Sequence, residues 1–433
     1  MKSSMVLLAS LLVAPLAVGA AQADSLAAVA RARYREAAAA ERAGNLARAR
    51  DLVAAAHQAW PNQPAYLVAT ADLSARLADT AGTVRWLGLL ADLGAGLDVA
   101  ARPVFAPFRS APGMEAVTRK LASNIAPLVR SDSVAGIPDP EFFPEGMDYD
   151  PGSRSWFVAS IHRRTIARIG PDGRVVDFPK APPTRLDAVL GVRVDAARGV
   201  VWATTRTLPT MADYQPGDSA RARVWAFDLA TGKTLGMAEA PRAEPHLFGD
   251  LVVDATGGVY LTDSESPILY RARLDGGTVV LEERLRHRLF RSLQGVAVAP
   301  DGRRLYLADY SHGLLLADLQ SGEVRTVATP PGVSTLGLDG IALAGSAVIG
   351  VQNGFAPARV VRFRLAPSGD RVVALDVLDR HLPVADEPTI GAVVGNRFVY
   401  VANSQWEKYD DDGKRRPNVT LRPPVLLAVP LGQ

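Results

Sequence analysis

An all-β six-bladed propeller with an N-terminal α-helical repeat domain is the fold class that the sequence predicts, and three observations predict it. A short opening pattern recurs six times across roughly the last two thirds of the chain. Each copy runs into short β-branched and aromatic stretches broken by Gly, Pro and Asp, the signature of strands joined by tight turns. Upstream of about Arg130 the texture differs: Ala, Leu and Arg dominate, Gly is scarce, and apolar residues recur at three and four, which is the helical period. These features divide the chain into a leader at 1–23, helical repeats at 24–125 and the propeller at 126–433.

The leader comes first. Lys2 precedes an almost wholly apolar run from Val6 to Val18, and Ala21-Gln22-Ala23 forms a small-x-small cleavage signal before Asp24. The run is shorter than the ~20 residues a membrane span needs, so the segment reads as a secretory signal peptide and the mature protein as periplasmic or secreted. No later stretch approaches a membrane span.

Helical hairpins follow. Ala37, Gly44-Asn45, Ala49, Val53, Ala56 and Pro61 fall at the offsets of a tetratricopeptide-like repeat. Small Ala residues let two helices approach closely, Gly44 turns the chain, and Pro61 stops the second helix. A looser copy runs from about Ala65 to Leu93, with Asp79-Thr80 at its turn and Trp86, Leu87 and Leu90 on its packing face. The alternative is a generic array of helical hairpins. A basic excess in this part and a slight acidic excess in the remainder favour docking between the two.

The propeller copies open at Glu145-Gly146, Leu190-Gly191, Gly249-Asp250, Gln294-Gly295, Asp339-Gly340 and Ile390-Gly391. Their separations of 45, 59, 45, 45 and 51 residues suit four-stranded blades. The sixth copy ends before a fourth strand, and Leu128 to Ala135 is the candidate that closes the ring and removes its open edge.

In such a ring the residue opening each copy points toward a common axis. Glu145, Gln294 and Asp339 put two carboxylates and an amide there, with no cationic side chain at the other three openings. An all-oxygen set suits a hard divalent cation, Ca²⁺ foremost, with Mg²⁺ or Zn²⁺ as alternatives. The bland alternative is a wet channel mouth where three polar residues bond water and backbone.

The Glu-Gly, amide-Gly and Asp-Gly openings of blades one, four and five resemble those of the senescence marker protein/gluconolactonase/luciferin-regenerating-enzyme-like family, over about residues 130–433. The resemblance implies a channel cation on Glu145, Gln294 and Asp339, lactone or ester hydrolysis, and Asp339 as general base. Two departures stand out. Gln294 takes the place of an Asn and carries its carbonyl one methylene farther. Leu247-Phe248-Gly249-Asp250 replaces the family's Arg-x-Asn-Asp clamp, so Asp250 survives, Phe248 is expected to present an apolar wall, and the substrate is expected to be less polar than a sugar lactone.

Two long connections, Arg206 to Arg221 and Asn403 to Pro424, carry Tyr214, Trp406 and Tyr409 and read either as a substrate lid or as solvated insertions. His162, His246 and His312 lie on or near turns at the same mouth and are candidate acids or bases; His312, Phe248, Asp250 and Trp406 are the candidate substrate contacts. With Cys 0, thiolate chemistry and Cys-held metals are excluded, and a net charge of +3 argues against nucleic acid. The sequence contains no Gly-x-Ser-x-Gly, His-Glu-x-x-His or phosphate loop. The expected function is an exported metal-dependent hydrolase acting on a small ester or lactone. The alternative is a non-catalytic protein that docks partners on its propeller and helical repeats.

Overall fold

The computed structural model describes residues 20–179, 186–217 and 220–432. Most of the expected leader, residues 1–19, lies outside the described residues.

Five helices come first: α1 (Ala20–Arg42), α2 (Leu46–Ala59), α3 (Pro64–Arg76), α4 (Thr80–Asp92) and α5 (Met114–Ile125). Their ends follow local chemistry. Gly44 takes a left-handed φ of 77° between α1 and α2, a conformation that costs a side-chain-bearing residue more. Asn45 then caps α2 by accepting from the Arg48 backbone N–H at 3.1 Å, and Asp79 caps α4 by accepting from Gly82 at 2.8 Å. Pro64 opens α3 at the one turn where its missing N–H is harmless. Each of α1 to α4 packs on the next, and Ala37, Ala49, Val53 and Ala56 are buried in one cluster between the first helices. Ala21-Gln22-Ala23, the stretch expected to be a cleavage signal, falls inside α1, and Ala23 is buried among Leu289, Phe290 and Leu293 of the propeller.

Six antiparallel four-stranded sheets follow. Their innermost strands are Pro144–Asp150, Ala188–Asp195, Phe248–Val253, Leu293–Val298, Ile341–Ala344 and Gly391–Val394. The ring closes where Asp132–Gly136 pairs with Val425–Pro430 as the outer strand of blade six. The closing strand therefore begins later than Leu128, which instead bridges Arg380 on the outer strand of blade five.

Glycine recurs at the blade openings because neighbouring inner strands nearly touch there. A Cβ on Gly340 would lie 2.6 Å from Ile390 Cα, and one on Gly191 2.5 Å from the Gly249 carbonyl. In blades one to four the register slips at this point, between Pro144 and Met147, Val189 and Val192, Phe248 and Leu251, and Leu293 and Val296. Such a bulge bends the strand and re-aims the opening residue.

Because each blade runs up and down, its second-to-third turn and its link to the next blade lie at the same end as the ring openings. The helical part docks on this end over blades three to five. Asn62 donates to Val333 O at 3.1 Å, Ser334 donates to Asn62 O at 2.9 Å, and Gly96 N donates to Ala356 O at 2.8 Å. Phe355 enters the apolar core of the helices. Among the described residues no ion pair joins the two parts, so the opposite charge excesses do not drive the docking through direct pairs.

Candidate active site at the channel mouth

Glu145 and Asp339, from blades one and five with only blade six between them, are 9% and 7% exposed. Each carboxylate is held by one oxygen. Glu145 Oε2 accepts from Trp406 Nε1 at 2.8 Å and Ser404 Oγ at 3.1 Å. Asp339 Oδ2 accepts from Asn353 Nδ2 at 2.6 Å, and Asn353 Oδ1 accepts from Tyr310 Oη at 3.1 Å. Gln294 uses its amide nitrogen to donate to Ser292 Oγ at 3.1 Å. Among the described residues, the remaining oxygen of each of these three side chains accepts no hydrogen bond.

Burial and mutual repulsion favour the protonated forms of the carboxyls at this mouth. Desolvation, then the Asp339 charge, pushes the Glu145 carboxyl well above its ordinary value. Desolvation raises Asp339 to about 7. Glu387, on the link into blade six, is raised to about 7 by desolvation and by Glu407 and Asp339. The hydroxyl of Tyr310 is pushed up to about 12 by burial and the same carboxylates. Phe143, Glu387 and Gln405, around this site, hold left-handed φ values of 48°, 63° and 78°, conformations that side-chain-bearing residues adopt only when their surroundings enforce them.

Trp406 reaches Glu145 from the long connection of blade six. Its ring meets Phe143 edge to face at 4.9 Å, and Tyr409 stacks on Phe143 at 5.0 Å. Met211 and Tyr214 from blade two's long connection join the same apolar cluster. Leu208, Met211 and Tyr214 of one connection thus pack with Trp406, Tyr409 and Leu421 of the other, beside Phe143 and Ile161 of blade one and Ala188 of blade two.

Three substrate candidates lie elsewhere. Phe248 is fully buried between blades, packed on Tyr270 and His246, because it precedes the opening residue and alternation turns it away from the channel. Asp250 occupies the position that Gly fills in the other five blades. It is 1% exposed and pairs with Arg193 at 3.0 Å. Arg193 also donates to Met147 O at 2.8 Å, so this pair stitches blades one, two and three together. His312 is buried beneath the helices, with Nδ1 3.3 Å from Asp309 Oδ1. Of the other histidines, His246 bonds Asp263 at 2.6 Å and His162 bonds Thr210 O at 2.8 Å; neither bonds a mouth carboxylate.

Sequence reasoning missed Asn353, Ser404, Tyr310 and Glu387. All four sit on connections, outside the repeat register that singled out the ring. Arg193 was missed too, though its place three residues after the blade-two opening was readable.

Two carboxylates that burial leaves short of positive charge and a neutral carbonyl are the kinds of oxygen donor that a hard divalent cation takes. Among the described residues, no group of three or more His, Asp and Glu side chains is arranged to hold a metal.

The fold and mouth define a six-bladed propeller with an acidic, aromatic-covered channel. No protein-family model and no curated protein matches the chain. Solved structures similar to it include a gluconolactonase from Xanthomonas campestris, with TM-score 0.47 and 15% identity over 72% of this chain and 93% of that one. A luciferin-regenerating enzyme matches with TM-score 0.44 and 12% identity over 70% and 95%. A putative oxidoreductase (glucose dehydrogenase) from Thermus thermophilus matches with TM-score 0.46 and 14% identity over 69% and 99%. At such identities and TM-scores the chemistry has to be argued from the channel's own side chains.

Proposed function

We propose that the channel mouth is the active site of an exported, divalent-cation-dependent hydrolase of small esters or lactones. The observation that carries this reading is the set of three ring side chains, Glu145, Gln294 and Asp339, each anchored by one polar atom and each keeping an oxygen without a donor. A cation held by those oxygens, Ca²⁺ foremost, would polarise the substrate carbonyl and make water easier to deprotonate.

The chain's residues do the rest. Asp339 is the candidate base that would take the proton from that water. Asn353 fixes which of its oxygens is engaged. Trp406 and Ser404 hold Glu145 in the same way, and the Trp406 ring supplies an apolar wall for the acyl or ring portion of the substrate. The sugar-lactone clamp is absent from blade three, which favours a weakly polar substrate.

Calorimetric Ca²⁺ titration together with hydrolysis of p-nitrophenyl acetate and a six-membered lactone tests the reading. Glu145→Gln and Asp339→Asn each weaken Ca²⁺ binding, since each removes one negative charge at nearly constant shape, and each abolishes hydrolysis. Equal Ca²⁺ binding by wild type and Asp339→Asn, with hydrolysis unchanged, would overturn it.

A further inference from the structure

Asn353, which holds Asp339 at the channel mouth, stands on the turn between the second and third strands of blade five, Ala347–Gln352 and Arg359–Leu365. Its side-chain nitrogen donates to Asp339 Oδ2 at 2.6 Å and to Pro388 O at 3.0 Å. Two residues further along the same turn, Phe355 leaves the propeller: it is buried among Leu90, Leu93, Phe105 and Leu121 of the helical part. Ala356 O then accepts from Gly96 N at 2.8 Å, on the segment that follows α4. A single short turn therefore touches the mouth at one end and the helices at the other.

Arg359 closes this turn. Its Nε donates to Gln352 Oε1 at 2.7 Å, its guanidinium lies 3.7 Å from the centre of the Phe355 ring, and its Nη1 is 3.5 Å from Gly94 O of the helical part. Gln352 in turn donates to Ser334 O at 3.0 Å and Leu336 O at 2.7 Å, and the Ser334 hydroxyl donates to Asn62 O of the helical part at 2.9 Å. Asn353 thus lies between two residues, Gln352 and Phe355, that are both held by Arg359 and tied to the helices. Arg359 is 3% exposed, and burial, then the charge of Arg380, lowers its guanidinium to about 9. Among the described residues it forms no ion pair. A buried cation without a counter-charge is costly, and its polar contacts go to Gln352 and Gly94, on the two sides of the joint.

We propose that the docked helices position Asn353 against Asp339 and thereby set the cation affinity and hydrolytic rate of the channel mouth. The inference rests on the reading of that mouth as a cation-dependent active site. Phe355 and Arg359 are positioning residues. With the helices in place the turn is held and Asn353 Nδ2 meets Asp339 Oδ2; with Phe355 withdrawn the turn is released and the carboxylate loses the donor that fixes it. Coupling between two sites is reciprocal, so a mouth that holds Asn353 also tightens the joint with the helices. Anything that lifts the helices lowers activity at a mouth it does not touch.

The test is calorimetric Ca²⁺ titration of the full chain at a temperature where circular dichroism shows each variant folded. Phe355→Ala should weaken Ca²⁺ binding about tenfold, the lower end of the range for groups that orient a metal ligand. Arg359→Met should act in the same direction, and having both guards against either one failing to fold. Phe355→Leu, which keeps an apolar plug, should recover most of the affinity. Val53→Ala, in the separate cluster of the first helices, should lower the melting temperature and leave Ca²⁺ binding as in wild type. Hydrogen exchange reads the reverse direction without ligand: Asn353→Ala should speed exchange of the Gly96 amide. A wild type that binds no Ca²⁺ overturns this inference together with the active-site reading. A wild type that binds, with Phe355→Ala and Arg359→Met binding as tightly, overturns the inference alone. So does Gly96 exchange that Asn353→Ala leaves unchanged, or a loss of affinity in Val53→Ala equal to that in Phe355→Ala.

Discussion

Asp339 and Glu387 titrate near 7 in the folded chain against ordinary values of 3.8 and 4.5. Between those limits the native state holds protons that the unfolded state has released, so this contribution to stability is complete below about pH 4 and is lost as pH rises toward 7. With chelator present, the melting temperature is expected to fall between pH 5 and pH 8, and millimolar Ca²⁺ to restore it at pH 8. Differential scanning calorimetry reads both, and a midpoint that Ca²⁺ leaves unmoved at pH 8 would count against an ion between these carboxylates. Asn353 acts one step back, through its bond to Asp339 Oδ2. Asn353→Ala should weaken Ca²⁺ binding by about 10–100-fold, as loss of a residue that orients a metal ligand does, while hydrolysis falls in parallel.

At the scale of the strand, the inner edge of each blade is where sequence and geometry correspond most closely. The recurring Gly was legible because close approach of neighbouring strands demands it at a fixed step, and the residue just before it lies at the channel mouth in Glu145 and Asp339. The reading failed where the pattern shifts. In blade three an Asp stands at the Gly position, and Asp250 turns between blades to meet Arg193. Connections carry no register, so Asn353, Tyr310 and Glu387 had no position from which to be inferred. The burial of His312 depends on the docked helices, which no local pattern announces. The same geometry gives a matched pair of substitutions. Gly340→Ala forces a Cβ to 2.6 Å from Ile390 Cα and is expected to cost about 1–3 kcal/mol, the scale of core overpacking. Gly249→Ala meets nothing closer than 3.5 Å and should melt within a degree or two of wild type; thermal denaturation monitored by circular dichroism compares them.

For the molecule as a whole, one face of the propeller carries everything described above: the helices over blades three to five, the packed connections over blades one, two and six, and the channel mouth with its carboxylates. A chain beginning at Pro127 keeps the closing strand and should melt cooperatively, though at a lower temperature, because Phe355 and Ala356 lose the helices that cover them. A chain beginning at Ile137 lacks Asp132–Gly136 and should lose cooperativity and aggregate through the exposed edge of Val425–Pro430. Equal melting of the two by calorimetry would show that the closing strand is dispensable.

That closing pair has a consequence for the order in which the chain is made. Asp132–Gly136 leaves the ribosome before any other strand of the propeller, yet its partner Val425–Pro430 leaves after all the rest. Each blade can assemble from neighbouring stretches of chain as it appears, but the earliest strand must wait through the synthesis of every blade. A chain that stopped shortly before Val425 would leave that first strand with nothing to pair with. The ring therefore cannot close until the strand at Val425–Pro430 has been made.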